Sequence, residues 1–482
     1  MIDDTKKQKL ILYSIAFATF IGNLDYYIVN VALVTIANDF QATTGDVSWV
    51  LLSYQLTITS FLLLFGKLGD KFGMKRVFLF GFTAFSIGSL ACGLASSLFI
   101  LVLSRALQGL GASVLYSMPP AMVTKYLPEN KRGSAFGILS TTAAIGMILG
   151  APLGGIITGY CSWRWAFLIN IPIGMLAIYI AKKTLPGDNV QESRKSSGGF
   201  DTFGAFFSFI ATVNFFYALS MIGVKAWTSP VIITCMAISI MSIFFFIKWE
   251  KRHLNPLVDL TLFKKRTFVA ENVSCALAYA FLAGNNFIMP FYLQAFQGLS
   301  PQKTGMVFIL YSLVYMVTGP LVGKLLNIVR PRTLCSVAMF FSAMAIFGFT
   351  FFFRISSLIP VCIFFACNGF AMATFGTANN TSVMDSAPKG KEGMVAGILR
   401  MMMRLGMAVG VCTFEMVFSR AILDHGNVAG NNLALLPPEQ LSSGFFYSLI
   451  TAGILCLMAA ILPLLSGKNR IRNAAPENCF TP

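Results

Sequence analysis

Several charged side chains lie deep within apolar stretches of this 482-residue chain, and each raises a question of chemistry. Asp25 sits in GNLDYYIVNVAL. A carboxylate buried in hydrocarbon is costly while ionised, so one that meets water on alternate sides of a membrane can take up a proton from one compartment and give it to the other. Arg105 sits in SRALQGLGAS. At the centre of a membrane helix an arginine costs about 2.5–3.5 kcal/mol, so it needs water or a counter-charge, and it shares a helix face with Gln108. Glu415 follows Arg404 by eleven residues, three helical turns, so Arg400, Arg404 and Glu415 project from one face that must point away from lipid. The leading expectation is a proton site at Asp25, with Arg105 facing the interior near a carboxylate. On the same helical geometry Asn23 and Asn30 share a face and Asp25 lies well round from Asn30. If Asp25 lines a cavity, those asparagines bridge neighbouring helices.

The elements that hold these residues are membrane helices. Apolar residues make up 56% of the chain and charged ones 11%, with a mean hydropathy of +0.73. That is too little charge to cover a soluble fold of this length. The excess of Lys and Arg gives a net charge of +17. In so apolar a chain it belongs at a membrane surface and not on nucleic acid. Ten scattered cysteines show no metal-type spacing, and two histidines, His253 and His425, cannot make a metal site. No cofactor or metal is expected. No GxxxxGK[ST] occurs, which argues against an ATP-driven pump, and no appended soluble domain argues for a receptor. The first apolar run is too long for a cleaved signal and reads as a retained span.

Runs able to cross about 30 Å of hydrocarbon fall near 10–33, 47–66, 77–95, 98–124, 133–159, 163–181 and 201–224, then 229–248, 268–295, 303–327, 333–353, 357–384, 393–421 and 443–466. Fourteen spans put both termini on one side. With that count, 28 of the 36 Lys and Arg fall in segments on that side, five on the other and three inside spans. This is the asymmetry that places the rich side in the cytoplasm. A single miscounted span would destroy it.

The chain also repeats itself. GKLGDKFGMK at 66–75 aligns with GKLLNIVRPR at 323–332, LQGLG at 107–111 with CNGFA at 367–371, and GMILG at 146–150 with GMAVG at 406–410. The offsets are nearly equal. The expected organisation is a six-helix bundle over 1–185, a cytoplasmic linker at 186–200, an inserted helix pair at 201–248, a cytoplasmic loop at 249–267, a second bundle over 268–466 and a cytoplasmic tail at 467–482. Parallel six-helix halves that rock about a midplane site are a transporter architecture.

These residues also resemble, over nearly the whole chain, the fourteen-helix drug:proton antiporter branch of the major facilitator superfamily. GKLGDKFGMKR at 66–76 is similar to the family's loop motif, with Gly66, Asp70, Gly73, Lys75 and Arg76 in place and Met74 where a basic residue is usual. Gly66 is expected to permit close helix approach, Gly73 a tight turn, and Asp70 a contact made in one conformation and broken in the other, a latch. At the repeat position of the acid stands Asn327, so a second latch should be weaker. SRALQGLGAS resembles the helix-4 motif, whose arginine the family uses in proton coupling.

GMILGAPLGGIITG resembles the antiporter signature of helix 5, with Ala151 in place of a glycine. There Gly146, Gly150, Gly154 and Gly155 offer flat faces for close packing around Pro152. GNLDYYIVNVAL is similar to the helix-1 motif, with Val34 where proline is usual, and WRWAFLINIPIG to the start of helix 6. The acid of span 13 in such exporters joins proton coupling or binds cationic drugs, which the resemblance assigns to Glu415. The family's RQ pair is here Met403 and Arg404, which adds charge to the pocket.

What the resemblance implies is an all-α membrane protein of the major facilitator fold, in the cell membrane, acting as a monomer on a small-molecule substrate and protons, with no enzymatic activity. Proton coupling falls to Asp25, Arg105 and Glu415. The expected substrate cavity gathers Tyr26, Asn30, Gln108, Asn285, Asn286, Gln294, Arg400 and Arg404. The function expected is export of lipophilic or cationic drugs driven by the proton gradient. The alternative is a dedicated exporter of one metabolite, such as a siderophore, lipid precursor or amino acid.

Overall fold

The computed structural model describes residues 5–187, 202–222, 228–252, 260–355, 357–388, 392–423 and 438–465. The tail at 467–482, most of the linker at 186–200 and of the outer loop at 422–442, and part of the loop at 249–267 lie outside the described residues.

Six helices form the first half: α1 (Thr5–Asp39), α2 (Thr44–Phe72), α3 (Met74–Gly93), α4 (Leu98–Tyr126), α5 (Glu129–Tyr160) and α6 (Asn170–Thr184), the last entered through a helical turn at Trp165–Leu168. Next come α7 (Thr202–Ile222) and α8 (Pro230–Glu250). The second half holds α9 (Arg266–Phe291), α10 (Pro301–Leu325), α11 (Pro331–Phe352), α12 (Leu358–Asp385), α13 (Glu392–Leu423) and α14 (Pro438–Leu465). No strand occurs among the described residues. Among them, twelve of these helices are long and apolar enough to cross a membrane. The other two, α2 and α7, include positions that are not described and take the second and seventh places in the expected order. Outward-facing side chains such as Ile240, Phe351, Ile359 and Leu464 are exposed and apolar, as hydrocarbon demands and water would penalise.

The internal repeat reappears as packing. In the first half α1 lies on α5, α4 on both α2 and α3, and α6 on α3; in the second α9 lies on α13, α12 on both α10 and α11, and α14 on α11. The glycines of the aligned GMILG and GMAVG motifs explain the tightest pair. A Cβ on Gly146 would lie 2.7 Å from the Phe20 carbonyl, and on Gly150 2.9 Å from that of Leu24. Gly406 and Gly410 press likewise on the backbone of Ala276 and Ala280. Only residues without a side chain let two helix backbones come this close, and the close approach replaces the missing hydrophobic drive between helices in lipid.

The halves meet along two related seams, α2 on α13 and α10 on α5, while α7 packs on α8 and against α2 and α13. The repeat is unequal in one respect. At its offset of 260, Arg105 and Gln108 align with Phe365 and Asn368, so the buried charge of the first half has an apolar counterpart in the second.

Candidate functional site

Asp25 and Arg105 form an ion pair of 2.8 Å, and both side chains are wholly buried. Helix α1 presents the carboxylate and α4 the guanidinium. Gln108, one turn beyond Arg105, accepts from it at 2.6 Å and donates to Asp25 at 2.9 Å. Asn170, at the start of α6, donates to the same carboxylate at 2.7 Å, and Ser89 of α3 accepts from both amides. Arg105 also donates to the Val50 carbonyl of α2 at 3.1 Å and lies over the Tyr54 ring at 4.0 Å. A buried charge pair survives desolvation only when further hydrogen bonds complete it, and here the Gln108 and Asn170 side chains and the Val50 carbonyl do so.

Sequence reasoning did not single out Asn170. The available signal was an amide inside WRWAFLINIPIG, a motif matched without a role. The same motif locks the end of α1: Trp163 donates to Asp39 at 2.8 Å, and Arg164 pairs with Asp39 at 3.2 Å while lying over the Trp163 ring.

Between the halves lies a cavity of about 2070 Å³. Its mouth is lined by Lys125, Gly187 and Met394, beside the loops rich in Lys and Arg, and its depth by Tyr26, Tyr116, Tyr311, Arg400 and Arg404. The arginines of α13 reach across to the other half. Arg400 donates to the Tyr116 carbonyl at 3.0 Å, and Arg404 lies 3.8 Å from the centre of the Tyr116 ring with a 3.4 Å contact to Gln55.

Several expected cavity residues are elsewhere. Asp25 and Gln108 sit inside the first bundle, behind the wall, and Asn23 lines the cavity instead. Asn30 turns back to the Tyr26 carbonyl of its own helix at 2.7 Å. Gln294 donates to Val31 across the halves at 3.2 Å, and Asn285 and Asn286 are buried away from the cavity wall. Asn30, Gln108 and Gln294 share one reason: a polar side chain in a span is satisfied as well by a helix carbonyl or a neighbouring helix as by water, and sequence does not distinguish these.

The opposite end of the cavity is shut. There a capping box between Thr43 and Asp46 fixes the start of α2, and its Gly45 meets α13 so closely that a Cβ would lie 2.9 Å from Glu415 Oε1. Ser419 donates to Glu415 at 2.8 Å, and the Thr44 and Ser419 hydroxyls are 3.5 Å apart. Glu415 therefore belongs to the closed seam and not to the cavity that Arg400 and Arg404 line. In the related seam Ser300 caps α10 and brings the Pro301 carbonyl onto Gly155, while a Cβ on Gly305 would lie 2.6 Å from the Ala151 carbonyl. The helix-5 glycines thus face two partners: Gly146, Gly150 and Gly154 pack on α1, and Gly155, beyond Pro152, packs on the other half.

In the loop motif Gly73 has φ 99°, a conformation that favours glycine, and it joins α2 to α3 without a spacer. Lys75 donates to the Lys182 and Leu185 carbonyls at 2.8 and 2.6 Å, neutralising the C-terminal end of α6. Arg76 follows Lys75 in the first turn of α3. Gly66 makes no close helix approach: a Cβ there would meet nothing within 4 Å, because Gly66 lies on the open cavity. The Asp70 side chain lies outside the described residues. In the second half Arg332, at the repeat position of Lys75, pairs with buried Glu271 at 2.7 Å, and Ser382 donates to the same carboxylate at 2.6 Å. The acid is supplied by α9 and not by the loop, where Asn327 stands.

Two pseudo-equivalent six-helix bundles around a central cavity, open at one end and sealed at the other, define a membrane transporter and not an enzyme. The chain belongs to the major facilitator superfamily, whose family model matches residues 15–411. It is 30% identical to the riboflavin transporter RibZ of Clostridioides difficile, over 86% of this chain and 90% of that one. It is 28% identical to the multidrug resistance protein Stp of Mycobacterium tuberculosis, over 86% of this chain and 76% of that one. With the multidrug export protein EmrB of Escherichia coli it shares 28% identity over 87% of this chain and 82% of that one. Its fold is similar to that of a bacterial homologue of the human lysosomal transporter Spinster in an inward-facing, unoccupied conformation, with a TM-score of 0.67, 16% identity, and 96% and 97% of the two chains covered.

Proposed function

We propose that this chain is a multidrug-type exporter that exchanges a small organic molecule for protons by alternating access. With both termini in the cytoplasm, the cavity opens inward to collect substrate and the seams of α2 on α13 and α5 on α10 close the outer end. The observation that carries the reading is the buried pair of Asp25 and Arg105. Arg105 ties Asp25 of α1 to the Val50 carbonyl of α2, and α2 begins at the closed seam, where Gly45 meets Glu415. A proton on Asp25 cancels the charge that holds Arg105, loosening α1 from α4 and freeing α2 to move against α13. Relatives named for multidrug resistance support the direction of transport.

In everted membrane vesicles, an imposed pH gradient should drive uptake of a fluorescent dye substrate, and Asp25→Asn should abolish that uptake while leaving dye binding intact. Gradient-driven uptake at the wild-type rate in this variant would remove the mechanism.

A second reading, transport of one metabolite, draws on the similarity to a riboflavin transporter and on the aromatic, arginine-lined cavity. Deletion of the gene without any gain in sensitivity to dyes and quaternary ammonium compounds would favour it.

A further inference from the structure

Among the described residues the wall of the central cavity carries cations and no acid. Among the described residues that line it, Lys125, Arg400 and Arg404 are basic and none is Asp or Glu. The two acids expected to take part in proton coupling are both engaged elsewhere: Asp25 is held behind the wall by Arg105, Gln108 and Asn170, and Glu415 is held by Ser419 at the closed seam. Among the described residues no carboxylate pairs with Arg400 or Arg404. Their partners are neutral: a carbonyl, an amide and the face of Tyr116. Two guanidinium groups four residues apart on one helix repel each other, and removing them from bulk water without an anion is unfavourable. The site is therefore charged for a ligand that brings the missing negative charge, and the planar fork of arginine suits a carboxylate, phosphate or sulfonate.

The rest of the wall specifies the body of that ligand. Tyr26, Tyr27, Tyr116, Tyr279, Tyr311 and Tyr315 all line the cavity, a set of flat, amphipathic faces that suits ring systems. The methionines Met147, Met372, Met403 and Met407 line the same space with adaptable apolar surface.

We infer that the substrate of this transporter is an aromatic organic anion, bound with its acidic group at Arg400 and Arg404 and its rings among the tyrosines, and not the lipophilic cation that the family resemblance suggested. This inference rests on the proposed role of the cavity as the transport site.

The test uses the full-length protein in lipid nanodiscs and two dyes that share a xanthene ring system, anionic fluorescein and cationic rhodamine 6G. Binding is read by fluorescence anisotropy. Fluorescein should bind at least about tenfold more tightly than rhodamine 6G, since a charge-assisted bond is worth that much. Arg404→Gln should weaken fluorescein by about tenfold and leave rhodamine 6G unchanged or tighter, while Arg404→Lys should recover part of the loss. The comparison of the two dyes on the unaltered protein stands whether or not a variant folds. Equal or tighter binding of rhodamine 6G, or binding of neither dye, would overturn the inference. Vesicle transport separates the two readings. Fluorescein bound but not exported would sink the exporter reading and leave the charge preference standing. Export of rhodamine 6G without binding of fluorescein would do the reverse.

Discussion

The buried pair of Asp25 and Arg105 allows a thermodynamic prediction that does not depend on any transport assay. Asp25 accepts from Arg105, Gln108 and Asn170 at 2.7 to 2.9 Å, and none of these atoms reaches water. In Asp25→Asn one carboxylate oxygen becomes an amide that points a donor at a donor, and the charge of Arg105 loses its counter-ion. Breaking one partner of a buried pair costs about 3–5 kcal/mol. Arg105→Gln leaves the carboxylate equally stranded and also gives up the Val50 carbonyl and the Tyr54 ring, adding roughly 1 kcal/mol. With both charges removed nothing charged remains buried, so Asp25→Asn with Arg105→Gln should be more stable than the sum of the singles by about 2–4 kcal/mol. Reversible unfolding in detergent of the four proteins measures this coupling. Additivity within about 0.5 kcal/mol would show that the two charges do not depend on each other, and the proposed proton switch would lose its basis.

Gly155→Val should push α5 away from the Pro301 carbonyl, an overpacking of about 1–3 kcal/mol that acts on the closed end alone. Cysteines introduced at Thr44 and Ser419 should form a cross-link in the parent protein, block transport until reduced, and form it less readily once Gly155→Val is added. Asn170→Leu should lower the rate of gradient-driven transport without altering dye affinity, because it removes a donor from Asp25 and touches no wall of the cavity; a loss of affinity at an unchanged rate would refute this placement. Glu415→Gln keeps the acceptor for Ser419 and should leave stability within about 0.5 kcal/mol of the parent in reversible unfolding; a loss of several times that size would show that the charge of Glu415, and not its hydrogen bond, holds the seam.

Much of the architecture was legible because a bilayer constrains it so strongly. Runs of apolar residues have to become helices, since no water is present to satisfy a backbone, and the Lys and Arg of the loops report which side they face. The repeat at offsets of 257 to 260 announced two bundles, and the glycines of GMILG announced close packing that the structure realises on α1 and repeats with GMAVG on α9. Arg105 was expected to face a carboxylate, and Asp25 was the acid available in the same half.

Sequence alone determined that Arg105 required water or a counter-charge and that Arg400, Arg404 and Glu415 shared a face. Tertiary structure alone decided that the first two meet a cavity while the third meets Gly45 at a closed seam, since a helix face 32 residues long crosses several environments. It decided too that Asn170 completes the pair of Asp25 and Arg105, because the meeting of α6 with α1 is a long-range contact that no local spacing encodes. The physical reason is that a sequence states what each side chain costs in hydrocarbon, and only the packed bundle determines which neighbour offsets that cost.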